Sequence, residues 1–81
     1  MLFVGWEGSS SIEAGAEGPW SDLVVLHPGL LLIDSDATRS EVYHALKHHL
    51  PPETPLLVAP LADDPKFSRM TPGTTAWLRD R

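Results

Sequence analysis

The stretch "LLIDSDATRSEVYHALKHHL", residues 31–50, gathers two aspartates, a threonine, an arginine, a tyrosine and three histidines. Asp34 and Asp36 stand two apart at the end of an apolar run, so strand alternation puts both carboxylates on one face. Such a pair suits magnesium, which takes hard oxygen ligands and keeps several waters. It equally suits turn and cap acceptors ahead of a helix, and that reading is the stronger one. His44 and His48 have the i,i+4 spacing of two metal ligands on a helix. No third ligand or outer partner accompanies them in sequence, and histidines near a helix carboxyl end are favoured by the dipole alone. His49 falls on the apolar stripe with Val42, Ala45, Leu46 and Leu50, which predicts a part-buried, hydrogen-bonded ring or one at a subunit contact. Glu7 stands alone after an apolar strand and reads first as an ordinary strand-end glutamate; the functional readings pair it with its symmetry mate across a dimer axis or join it to Asp34 and Asp36 around magnesium. "GWEGSSS" lacks the lysine and the spacing of a phosphate-binding loop, and Ser9 to Ser11 have no evident base. No set of catalytic residues assembles from the sequence.

The elements that must position these groups follow from periodicity. "LFVGW" (2–6) alternates as a first strand. "EGSSSIEAGAEGPW" follows; Ser10 and Glu13 have capping-box spacing, which supports one or two helical turns over 11–17, while Gly15 and Gly18 support a flexible crossover over 8–20. Two apolar runs, 23–26 and 30–33, flank His-Pro-Gly and read as a hairpin turning at Pro28-Gly29. Thr38 and Glu41 form a second capping-box pair, starting a helix that runs from about 39 to 50 and stops at Pro51-Pro52. "TPLLVAPL" (54–61) is a last strand, with Pro60 marking an edge or an end. A loop over 62–71 leads to a short terminal helix with Pro72 at its first position and Trp77 and Leu78 as anchors. The order predicts one α+β domain over 1–81, a compact ferredoxin-like sandwich (β-short α-ββ-α-β plus a short C-terminal helix).

Eighty-one residues leave no room for a second core, and a domain this small often gains stability from oligomerisation. There is no cysteine, so disulfides, thiol catalysis and thiolate metal sites are excluded. No basic leader precedes the first strand and no apolar run approaches the ~18 residues of a membrane span, so the expected home is the cytoplasm, off the membrane. The net charge of −5 is uneven: no lysine or arginine occurs before Arg39. A nucleic-acid surface would have to be built from Arg39, Lys47, Lys66 and Arg69, with Arg79 and Arg81.

"LLLIDSDATRSEVYHALKHHLPPETPLLVAPL" resembles the hairpin, capped helix and final strand of the small ferredoxin-like subunit of CRISPR spacer-integration complexes and its non-CRISPR relatives. The terminal "TTAWLRDR" is similar to the tryptophan-bearing helix that closes many of them. The resemblance implies a homodimer and, for some members, magnesium-dependent nuclease activity using an acid at the end of the first strand. Here that position holds Glu7 rather than the usual aspartate, and the segment matching the first helix has no basic residue. The leading expectation is therefore a non-catalytic, cofactor-free dimeric interaction module for a protein partner with a basic surface. Its interface is expected at Leu30, Leu31 and Leu32 of the hairpin and at Trp77 and Leu78, or along the edge strand. The alternative is a magnesium-dependent nuclease or nucleic-acid binder. A third reading, a small-molecule pocket using His49 and Trp6, is weaker.

Overall fold

The computed structural model describes residues 1–81. In chain order it contains β1 (Leu2–Glu7), β2 (Asp22–His27), β3 (Leu30–Asp34), α1 (Arg39–Lys47), β4 (Leu56–Pro60) and α2 (Thr74–Arg79). The strands form one sheet in the order β2-β3-β1-β4, with every neighbouring pair antiparallel. β1 and β2 are thus parallel and separated by β3, the split crossover of a ferredoxin-like α+β fold.

Alternation sorts the apolar side chains onto two faces. Phe3, Leu23, Leu31 and Ile33 point inward and are packed by Val42 and Leu46 of α1 and by Ile12 of the first crossover. Thr38 starts α1 as its spacing predicts: its hydroxyl oxygen accepts from the Glu41 N–H, and the Glu41 carboxylate accepts from the Thr38 N–H. Regular helix ends at Lys47, earlier than residue 50, and residues 48–50 continue as turns closed by His49 N–H to Leu46 C=O and Leu50 N–H to Lys47 C=O.

The first crossover contains no helix. Ser10 sits at φ 56°, outside helical geometry, and the segment 11–17 holds one turn, closed by Ala16 N–H to Glu13 C=O. The capping-box spacing is overridden because Ser9 and Ser11 are drawn to the Glu7 carboxylate. Loop side chains cover the sheet instead: Ile12 is buried, and Trp20 lies against the core with its indole N–H on Ala16 C=O. Pro28-Gly29 makes the β2–β3 turn with Gly29 at φ 83°. A side chain there would be strained and would set a Cβ 2.6 Å from the Glu7 carbonyl oxygen. A bulge at Leu26, between Val25 and His27, adjusts β2 to this turn.

The C-terminal segment packs on the other face. Thr71 N–H bonds Leu26 C=O at the β2 edge, and Thr74 is buried. α2 starts after Gly73, two residues beyond the position predicted for Pro72.

Candidate interaction surface

Glu7 is the acid with the strongest sequence claim to chemistry, and the fold places it inside. It shares the inward face with Phe3 and is 1% exposed. Oε2 accepts from the Ser9 hydroxyl at 2.6 Å, and the Ser11 N–H lies 3.2 and 3.3 Å from the two carboxylate oxygens. Its backbone N–H bonds Gly29 C=O at 2.8 Å. Glu7 therefore pins the start of the crossover, and a carboxylate so enclosed cannot face a symmetry mate.

Asp34 pairs in register with Leu2, at the opposite end of β1 from Glu7, so the two carboxylates are separated by about 16 Å of strand. Asp36 is exposed beyond the strand end. No group of three or more His, Cys, Asp or Glu side chains comes together as a metal site. Glu7, Asp34 and Asp36 do not fit a shared magnesium ion, because β1 holds them apart. The turn role expected of the two aspartates belongs to the residue between them. Ser35 is buried, its hydroxyl donates to Pro19 C=O, and its oxygen accepts from Ala37 N–H.

Asp34 takes part in a different cluster. It lies opposite Asp22 across β2 and β3, and this like-charged pair is bridged by the last residue of the chain. The Arg81 guanidinium reaches Asp22 at 2.6 Å and Asp34 at 3.2 Å, while the N-terminal ammonium stands 3.7 Å from Asp34. The Trp77 indole N–H donates to Asp22 at 2.5 Å, and Arg81 stacks 4.0 Å from the centre of the Trp77 ring. The Trp77 hydrogen bond, aided by the Leu23 N–H and by Arg81, holds the Asp22 carboxyl below the usual carboxylate range against the opposing effect of burial. Trp77 and its neighbours thus latch the C-terminal segment to the sheet.

The predicted interface residues are largely spoken for by this packing. Leu31 lies fully buried under α1, and Leu32, on the opposite face, is also 0% exposed. Leu30, Trp77 and Leu78 are half-buried. The chain itself covers the leucine-rich hairpin, so a partner is not needed for that purpose. His49 is exposed, and its Nε2 lies 2.6 Å from Glu17 C=O, 6.4 Å from the Trp20 ring centre. Since a carbonyl only accepts, that nitrogen carries the proton and the ring ties the helix end to the crossover. Trp6 is remote from it on the other face, so the two do not share a pocket. Among the basic residues, Arg39 and Lys47 sit on α1 and Lys66 and Arg69 on the segment packed against the opposite face, and all are exposed.

The exposed apolar surface lies along the edge strand, the second of the two expected places, and adds Trp6 and Leu57 to Leu30. Trp6 of β1 and Leu57 of β4 are register partners, 47% and 56% exposed, and half-buried Leu30 adjoins Trp6 on β3. Together they make an apolar strip on the outer face, beside the part that α2 latches. β4 bounds this strip as a free edge, and its five residues, "LLVAP", carry no charge. The signal was present in the alternation of "LFVGW", which exposes Trp6 once Phe3 faces the core.

No helix of the chain is long and apolar enough to cross a membrane. No family model, no curated protein and no solved structure matches the chain.

Proposed function

We propose that this protein is a small interaction module that acts by binding another protein chain rather than by catalysis, as a dimer and with a partner of basic character. The observation that carries this reading is the exposed Trp6–Leu57 strip next to an uncharged, unpaired edge strand. Exposed apolar strips and open edges are features that soluble domains normally cover or blunt with charge. Tryptophan at the centre of such a strip is also the residue type most often dominant in protein interfaces. The acidic first half, with Glu13 and Glu17 exposed on the crossover, would steer a basic partner. Action in the reducing cytoplasm suits a chain without cysteine.

The test compares immobilised wild type with the double variant Trp6→Ser/Leu57→Lys. Proteins retained by wild type and lost by a folded variant support the reading, whereas identical retention refutes it. Magnesium-dependent cleavage of RNA or DNA that disappears in a folded Glu7→Gln variant would also refute it, and would favour the nuclease that the resemblance implies.

A further inference from the structure

The hydrogen-bond accounting of β4 goes further than the exposed strip. Gly8 N–H bonds Pro55 C=O at 3.0 Å and Leu61 N–H bonds Leu2 C=O at 2.9 Å, so the odd-numbered residues of β4 face β1. The β1 side agrees, since Glu7 N–H and Met1 C=O, both at odd positions, are used by β3-side partners. By antiparallel alternation, the N–H and C=O groups of Leu56 and Val58 point away from the sheet along the free edge, and Pro60 adds a carbonyl but no N–H.

We infer that β4 pairs antiparallel with β4 of a second copy of this chain, on a two-fold axis passing beside Leu57. This inference rests on the interaction-module reading above and names the occupant of that surface. Four features select the second copy and this register. With Leu57 opposite its own mate, Leu56 faces Val58 of the copy and Val58 faces Leu56, so both outward donors and both outward acceptors are used on each chain. Pro60, which lacks a donor, falls outside the paired core, and centring the axis on Val58 would instead oppose it to Leu56. The same register places Trp6, Leu57, and the copy's Leu57 and Trp6 in one row on the outer face, extending an existing cross-strand pair. Finally, two chains of net charge −5 repel, and β4 is a strand on which they can meet without bringing any charged side chain into contact. Such an isologous contact yields one eight-stranded sheet.

The experiment measures mass against concentration by sedimentation for wild type and Leu57→Lys, together with oxidative cross-linking of Leu57→Cys and Ala59→Cys. The chain has no native thiol, so each engineered cysteine is the sole one present. Facing residues in a non-hydrogen-bonded antiparallel pair have Cα atoms about 4.5 Å apart, within disulfide reach. Ala59 would instead face Pro55 of the copy, some four residues or about 13 Å from its own mate. The expected result is a doubling of mass in wild type and a folded monomer for Leu57→Lys. Leu57→Cys should form covalent dimers with little from Ala59→Cys, and slowed exchange of the Leu56 and Val58 amides should appear with rising concentration. A wild type that stays monomeric overturns self-pairing, while differential retention by the Trp6→Ser/Leu57→Lys comparison would still hold for a different partner. A dimer that survives Leu57→Lys, or that Leu57→Cys does not cross-link, overturns the axis at Leu57.

Discussion

Replacing Glu7 with alanine separates an anchoring acid from a reactive one. The carboxylate is 1% exposed and holds two donors, the Ser9 hydroxyl at 2.6 Å and the Ser11 N–H at 3.2 Å. Hydrogen bonds to a charged group contribute about 1.5–3 kcal/mol each. Ser9 and Ser11 are themselves exposed, so water recovers part of the loss when the loop opens. The expected cost of Glu7→Ala is about 2–4 kcal/mol. At ~0.05–0.15 kcal/mol per residue the whole domain holds only about 4–12 kcal/mol. With a urea slope of about 1 kcal/mol/M the unfolding midpoint should fall by about 2 M or more. Glu7→Gln keeps the volume, and its carbonyl oxygen in the Oε2 position can accept from both donors, so only the charge is lost and about 1–2 kcal/mol is expected. Urea melts read by tryptophan fluorescence and far-ultraviolet circular dichroism measure both. A Glu7→Ala variant within about 0.5 kcal/mol of wild type would refute the anchoring argument and return Glu7 to the pool of functional acids. The corollary is practical: any activity lost in Glu7→Ala would report an opened crossover before it reported catalysis.

Other perturbations test the remaining contacts. Asp22 has a folded pKa depressed below its ordinary value, so its contribution is fully present above the unfolded value near pH 4 and is lost as pH falls through the folded one. Acid titration of Trp77 fluorescence should therefore show α2 loosening below about pH 4, a transition that Asp22→Asn abolishes. The contribution is modest, about 0.2–1 kcal/mol, because Asp22 is 46% exposed and its ion pair is screened. Gly29→Ala should cost about 2 kcal/mol or more by thermal melt, since it adds left-handed strain to a Cβ 2.6 Å from the Glu7 carbonyl. Leu46→Ala, which empties a fully buried position between α1 and the sheet, should cost about 2–5 kcal/mol in the same assay.

Local chemistry was legible wherever a few neighbouring residues decided the outcome. Thr38 and Glu41 announce the start of α1, Pro28-Gly29 announces the hairpin, and the order of elements along the chain follows from the spacing of apolar runs. Legibility failed where a group had more than one available partner, one near in sequence for the serines and one far for Asp34. Ser10 and Glu13 carry the same capping-box spacing as Thr38 and Glu41. No helix forms there, because Glu7, from the preceding strand, takes Ser9 and Ser11 first. Asp34 and Asp36 looked like a pair, yet Asp34 is claimed by Arg81, the residue farthest from it on its C-terminal side. Spacing alone carries no information about such long-range partners.

The same competition from within the chain explains why Leu31 and Leu32, expected at an interface, are buried. Leu30, Leu31 and Leu32 form the most apolar run, and a run of that kind reads as a face in need of cover. The cover is supplied within the chain: α1 and the crossover lie over Leu31, and Leu32 faces the side on which Thr71, Trp77 and Arg81 fasten the C-terminal segment. Those fastenings all engage β2 and β3. Since the sheet order sets β1 and β4 on the far side, a segment latched to β2 and β3 leaves Trp6 and Leu57 open. The exposed strip is therefore a consequence of where the latch attaches. Shortening the chain at Trp77 should release that segment and enlarge the apolar surface toward Leu32, whereas Leu57→Lys should act only on the strip. If both changes weakened association equally, the latched and open halves of the outer face would have to be one binding surface.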